Sequence, residues 1–252
     1  MSQNTFQILT LAWIAIGVIT FPFLLKVTAP YGRHAKGNWG PTVNNKLGWM
    51  IYELPSLLLI TYFIVTGPYF KSRIVLAFGI VWFIHYFYRS LIFPLRLRTK
   101  GKTVPLVIVF SAIFFNLVNA SLNGYYLGYL SDGYPDNWLT DPRFIIGIII
   151  FITGFIINQV SDQILLNLRK GGKKGYYIPK GWLYKYVSCP NFFGEIIEWT
   201  GFAIMAWNLP AFSFALWTAV NLIPRALDHH KWYQKTFEEY PKERKAVIPF
   251  LL

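Results

Sequence analysis

Apolar positions in this chain fall into long blocks, not into the alternating runs of a half-buried sheet. Blocks at 6–26, 48–66, 74–94, 104–128 and 143–166 are about as long as a helix must be to cross a hydrocarbon core, roughly 20 residues. Two shorter blocks follow, 196–208 and 211–224, separated by Asn208, Leu209 and Pro210. The pattern predicts an all-α, polytopic membrane protein with about seven transmembrane helices. The first block lacks a basic leader and is followed by Lys26 and Pro30 instead of a small-residue cleavage site, so it is expected to be a retained helix.

Composition strengthens that expectation, with 54% hydrophobic and only 14% charged residues. Where the charges fall sets the orientation, because Lys and Arg concentrate in cytoplasmic loops. Lys26, Arg33, Lys36 and Lys46 occupy the first loop, and Arg96, Arg98, Lys100 and Lys102 the third. Arg169, Lys170, Lys173, Lys174, Lys180 and Lys185 occupy the fifth, and Lys231, Lys242, Arg244 and Lys245 the tail. The fourth loop carries Asp132, Asp136 and Asp141 with only Arg143. The expected topology has the N-terminus outside and the C-terminus cytoplasmic. Lys71 and Arg73 in the second loop run against it and are expected to snorkel to headgroups.

A net charge of +13 is thereby explained by topology and anionic lipid, and no nucleic-acid partner is expected. The single cysteine, Cys189, excludes an internal disulfide framework and a multi-cysteine zinc site. His229 and His230 are adjacent, about 100° apart on a helix, so no metal is expected. No repeat or long linker interrupts the chain, and 1–252 is read as one membrane-embedded domain acting as a monomer, with the lipid bilayer as its surroundings.

Ionisable residues inside apolar blocks are costly and mark sites. Glu53 sits about one turn into the second block, just before Pro55. Burial disfavours its carboxylate, so it is either a protonated acid able to donate a hydrogen bond or a structural carboxyl bonded to a neighbouring helix. Trp82, Tyr86 and Arg89 share one face of the third block, as an aromatic belt or as hydrogen-bond donors to a ligand. Asn158, Asp162 and Arg169 form a stripe on the fifth block, lining a cavity or making a helix-helix seam. Asn191, Glu195 and Glu198 repeat that geometry at the entrance of the sixth, where a helix N-terminus also tolerates acids. Arg225, His229 and Tyr233 recur every four residues in the tail, compatible with a membrane-surface helix. The basic run from Arg169 to Trp182, rich in glycine, is suited to phosphate but is equally explained by topology.

Taken together, WxxxELP around Trp49 and Glu53, HYFYR (85–89), NQVSD (158–162), LRKGGKKGYYIPKG (168–181), YVSCPNFFGEIIEW (186–199), RALDHHKWY (225–233) and RKAVIPF (244–250) resemble the steroid 5α-reductases, along all but the first 40 or so residues. That resemblance implies a seven-span enzyme using NADPH to reduce the Δ4 double bond of 3-oxo steroids. It implies cofactor contacts at Asn158, Asp162, Arg169, Tyr176, Asn191, Glu195, Arg225, His229 and Tyr233, and a substrate carbonyl held by the catalytic pair Glu53 and Tyr86. Trp49 and Trp199 would suit a flat, lipophilic steroid enone. On this basis 1–130 is expected to serve mainly the substrate and 131–252 mainly NADPH. Tyr52 stands where many relatives carry Gln, and Tyr177 where some carry Arg. Three other readings share parts of the pattern: a reductase of polyprenols or enoyl thioesters, an isoprenylcysteine-type methyltransferase, and a non-enzymatic lipid transporter. The membrane is expected to be a bacterial inner membrane or the endoplasmic reticulum, according to the host.

Overall fold

The computed structural model describes residues 1–30, 32–34, 39–99, 101–172 and 175–252, so Lys36, Lys100, Lys173 and Lys174 lie outside the described residues. The chain is mostly helical: α1 (Gln3–Leu24), α2 (Asn45–Thr66), α3 (Arg73–Phe87), α4 (Phe93–Arg96), α5 (Leu106–Tyr125), α6 (Pro142–Asn167), α7 (Pro190–Ala206) and α8 (Leu209–Thr236). Five stretches among the described residues are long and apolar enough to cross a membrane: Gln3–Leu24, Asn45–Thr66, Arg73–Arg96, Leu106–Leu130 and Pro142–Asn167. These coincide with the first five predicted blocks to within a few residues. The last two blocks also form helices, but α7 has 17 residues, and α8 runs on through the polar RALDHHKWY segment to reach 28.

Two compact units make up the chain: Met1–Thr10 with Ala29–Phe144, and Leu11–Thr28 with Ile145–Leu252. In the first, α2 packs against α5 and α3. Leu57, Ile60 and Ile64 of α2, Val75 and Phe78 of α3 and Val109 of α5 are buried there. The contact is close because glycines face it. A Cβ on Gly124 would lie 3.1 Å from Phe63, and one on Gly128 would strike the Phe63 carbonyl. Large apolar side chains on the far faces, such as Ile80, Phe83, Phe110 and Phe114, are exposed, as lipid-facing positions would be in a spanning helix.

The ends of this unit are tied in pairs. β1 (Thr42–Asn44) and β2 (Thr103–Pro105) form an antiparallel ribbon, joining the first loop to the third. Three-residue strands carry no readable period, so the sequence pattern gave no sign of it. Asn44 then caps α2, its side chain accepting from the backbone of Lys46 and Leu47 at 3.0 and 3.3 Å. At the other end Tyr69 donates to Asp132 at 2.9 Å and Ser72 Oγ to the Gly133 carbonyl at 2.5 Å, joining the second loop to the fourth. Loops one and three therefore share one end of the unit and loops two and four the other.

In the second unit α6 and α7 run antiparallel along a glycine seam. Gly147 and Gly154 on α6 and Gly194 and Gly201 on α7 each repeat at seven residues, keeping one face in contact. A Cβ on Gly154 would stand 2.5 Å from the Gly194 carbonyl and collide with the Glu198 amide. A Cβ on Gly147 would stand 2.7 Å from the Gly201 carbonyl. Trp207, in the left-handed region at φ 46°, and the capping side chain of Asn208 turn α7 into α8. Within the same unit Trp217 of α8 stacks on Trp13 of α1, centroids 4.7 Å apart, and donates to the Trp13 carbonyl at 3.0 Å.

The chain after α8 folds back as a strap. Val187 and Lys245 bridge in parallel, Ser188 N donates to the Lys245 carbonyl at 2.9 Å and Cys189 N to that of Ala246 at 3.1 Å. Cys189, Ala226, Ala246 and Val247 are buried together beneath it, with Phe192 and Ile223 packed against them. The strap thus joins the start of α7 to the middle of α8.

Candidate active site

In the first unit, α2 is pinned to α3 and to the turn that follows it by two indole bonds. Trp49 of α2 donates from Nε1 to the Arg89 carbonyl, and Trp82 of α3 donates from Nε1 to the Ser56 carbonyl, both at 3.2 Å. Trp49 lies four residues before Glu53 and Ser56 three after it. Trp82 lies four before Tyr86 and Arg89 three after it. In an antiparallel pair this register sets Glu53 and Tyr86 at corresponding heights between the two bonds.

The surroundings of the pair are packed and polar at once. Tyr86 is 4% exposed, stacked on the fully buried Trp82 with centroids 5.3 Å apart and met edge-on by His85 at 4.9 Å. Glu53 is partly buried. Arg89 lies over the Trp49 ring, 4.8 Å from its centroid. Backbone carbonyls beside both residues take extra donors: Asn116 Nδ2 to Tyr52 O and Ser90 Oγ to Tyr86 O, each at 2.6 Å. Directly after α3 the helix widens into a π-turn over Tyr88–Ile92, ahead of Pro94, a local irregularity that recurs at functional sites.

In the second unit the glycine seam continues into a polar network. Asn158 Nδ2 donates to the Asn191 carbonyl and Asn191 Nδ2 to Asp162 Oδ1, both at 3.0 Å. Asn158 and Asp162 are 2% and 3% exposed, so this stretch is a buried, hydrogen-bonded site and not a solvated face. Seen from the sequence, cavity lining and helix seam were alternatives for these residues. The structure shows the seam bonds, and both roles are compatible with them.

An aromatic run extends from the basic loop to α8. The Arg169 guanidinium lies over the Tyr176 ring at 5.3 Å, Tyr176 meets Trp232 edge-on at 5.0 Å, and Tyr233 stacks on Tyr240 at 5.2 Å. His229 packs on Phe192, beside Asn191, at 5.5 Å, and Arg225 one turn away is 8% exposed. Glu195 is partly buried on α7.

Beneath Tyr233 lies a cluster that sequence reasoning did not single out. Ser188 Oγ is 2.6 Å from His230 Nδ1 and 2.5 Å from the Tyr240 hydroxyl, and the Arg244 guanidinium lies over the Tyr240 ring at 5.3 Å. Burial holds His230 below the ordinary histidine range, with the Lys245 charge acting in the same direction. Burial pushes the Tyr240 phenol up, against opposing hydrogen bonds from Ser188 and Arg244. The motif RKAVIPF held Arg244 and Lys245, but only the folded strap shows what they meet.

Trp49, Glu53 and Tyr86 thus belong to the first unit, where they share one frame. Asn158, Asp162, Arg169, Tyr176, Asn191, Glu195, Arg225, His229 and Tyr233 belong to the second, as does Trp199. Trp199 is 1% exposed, edge-on to Phe151, Phe202 and Phe214. The one trace of the frame in the sequence is the matching 4,3 spacing of Trp49, Glu53, Ser56 and of Trp82, Tyr86, Arg89, which does not show the bonds themselves.

Residues 102–252 match the family model described as 3-oxo-5-alpha-steroid 4-dehydrogenase. The chain is 42% identical to the steroid 5-alpha-reductase DET2 of Arabidopsis thaliana, over 99% of this chain and 97% of that protein. It is 39% identical to the protein of that name from Gossypium hirsutum, over 99% and 98%. It is also 42% identical to the 3-oxo-5-alpha-steroid 4-dehydrogenase 1 of Homo sapiens, over 94% and 92%.

Proposed function

Since the chain belongs to the steroid 5-alpha-reductase family, we propose that it reduces the Δ4 carbon-carbon double bond of a 3-oxo steroid with NADPH, within a seven-span membrane domain whose C-terminus is cytoplasmic. The observation that carries this reading is the α2–α3 frame, which holds an acid and a phenol at matching heights between two helices.

Conjugate reduction delivers hydride to the β-carbon of the enone while negative charge grows on the carbonyl oxygen. Hydrogen-bond donors at that oxygen stabilise the transition state more than the ground state. In this reading the Tyr86 hydroxyl and a protonated Glu53 carboxyl donate to it, and a proton reaches the α-carbon to complete the saturated ketone. Trp82 and His85 around the phenol exclude water, so each donor acts in a low-dielectric setting.

The second unit has side chains that fit a dinucleotide. The Asn158, Asp162 and Asn191 network offers amide and carboxylate groups to hydroxyl and amide functions, Arg169 and Arg225 offer charge to phosphates, and Tyr176 and Trp232 offer ring faces to a base. Glu195, His229 and Tyr233 complete the set. When bound, NADPH supplies the hydride. The mainly apolar first unit, exposed to lipid, suits a substrate drawn from the bilayer.

The test uses the full chain in detergent with NADPH and a Δ4-3-oxo steroid, following cofactor absorbance and the reduced product. Tyr86→Phe and Glu53→Gln are expected to lower turnover by about a hundredfold, the effect of losing one donor to an oxyanion, with NADPH affinity little changed. Absence of NADPH binding by the unaltered protein would end the reductase reading. NADPH binding without steroid turnover would move the substrate to a different enone.

A further inference from the structure

We propose that Trp82 is a positioning residue for this reaction, acting as one of a pair of indole bolts that fix the separation between Glu53 and Tyr86. The inference rests on the assignment of those two residues to the substrate carbonyl.

Helices slide and rotate against each other at little cost when only apolar surfaces touch, because ridges of similar side chains can re-register. A carbonyl oxygen held by two donors on two different helices is intolerant of such sliding, since misplacement by about 1 Å costs on the order of a hundredfold in rate. Something directional must set the register. Two directional contacts are the indole bonds, Trp82 to Ser56 O and Trp49 to Arg89 O, one a turn to either side of the catalytic pair. They run in opposite senses, from α3 to α2 and from α2 to the π-turn that follows α3, so together they resist pivoting more than either does alone.

Trp82 holds the more exacting position of the two. It is fully buried, its ring is stacked at 25° on the Tyr86 ring, and its N–H ends on α2 three residues beyond Glu53. One side chain therefore touches the phenol on its own helix and the backbone that carries the acid on the next. The backbone at each end is stiffened further by Asn116 on the Tyr52 carbonyl and Ser90 on the Tyr86 carbonyl. Ser56, whose carbonyl receives the bolt, is fully buried, so no water competes for it.

A double-mutant cycle tests this in the full-length enzyme with NADPH and a Δ4-3-oxo steroid. Trp82→Phe keeps an aromatic ring over Tyr86 and removes only the N–H. It is expected to lower kcat by roughly tenfold to a hundredfold, with the KM for NADPH unchanged and the thermal midpoint in detergent shifted little. In a Tyr86→Phe background the same change is expected to cost almost nothing more, because the group it positions is gone. A residue that merely supports the fold would lower activity by the same factor in both backgrounds, and that result, or full activity of Trp82→Phe, overturns the proposal. Trp49→Phe, carried through the same cycle, keeps the proposal testable if Trp82→Phe fails to accumulate. Full activity of Tyr86→Phe by itself would overturn the carbonyl assignment and this inference with it, a result distinguishable from failure of the bolt alone.

Discussion

Replacing Gly154 by alanine adds one methyl group at the tightest point of the α6–α7 seam. The new carbon would lie 2.5 Å from the Gly194 carbonyl oxygen and 2.7 Å from Glu198 Cα, where about 3.5 Å is needed. Both obstacles are backbone, so no rotamer change relieves them and the helices must part by about 1 Å. Overpacking of this kind costs about 1–3 kcal/mol. Separation also stretches the bonds from Asn158 to Asn191 and from Asn191 to Asp162, now 3.0 Å each, and losing them adds about 0.5–1.5 kcal/mol apiece. The sum is about 2–6 kcal/mol, which for a chain of this length is a fall of about 4–24 °C in thermal midpoint. Because the same network is proposed to hold NADPH, cofactor affinity should fall with it. Gly79→Ala is the control: its Cβ meets only the Ile64 side chain, Cδ1 at 2.9 Å and Cγ2 at 3.9 Å, whose far end can move, and alanine favours the middle of a helix. Thermal unfolding in one detergent, with and without NADPH, measures both variants. If Gly154→Ala melts within about 1 °C of the parent and binds NADPH as tightly, the backbone approach inferred for this seam is wrong.

Two predictions concern pH. His230 is held below the ordinary 6.5, so the unfolded chain takes up its proton first as pH falls; the contribution of this histidine is complete above about 6.5 and is lost as pH drops through its folded value. His230→Gln should therefore flatten the thermal midpoint between pH 7 and 5, and an unchanged slope would refute the assignment. Asp141, bonded to Arg143 through both carboxylate oxygens at 2.9 Å, is held down to about 2 against the usual 3.8, so its contribution is complete above about 3.8 and disappears towards pH 2. Asp141→Asn should remove that acid limb while leaving turnover at neutral pH intact, as an acid-titration melt and a rate assay would show.

The helical architecture was legible because its cause is one-dimensional: about 20 apolar residues in a row admit few structures other than a spanning helix. Asn208, Leu209 and Pro210 likewise marked the break between α7 and α8, where Trp207 takes the left-handed turn and Asn208 caps. Candidate site residues, Glu53 and Asp162 among them, were visible as polar exceptions in apolar blocks. Contacts that end on backbone were not visible. Trp82 announces an aromatic ring, but nothing in the sequence says that its N–H reaches the Ser56 carbonyl. Gly154 and Gly194 likewise stand forty residues apart and show their meeting only in three dimensions. The Ser188, His230, Tyr240 cluster depends on the strap, whose single-residue bridge at Lys245 has no periodic signature.

The stacking of Trp13 on Trp217 has a consequence for biosynthesis. Helix α1 finds this partner, and the indole bond to its own carbonyl, only after the chain has been extended by the 204 positions that separate Trp13 from Trp217. Until then α1 lacks it, and Gly17, against which the Trp217 ring will close at 3.0 Å from where a Cβ would lie, presents a bare backbone groove. Order of synthesis and order of assembly therefore differ in this protein. A nascent chain arrested before Trp217 emerges should leave that groove open to cross-linking by lipid or by an insertase, and completion should close it.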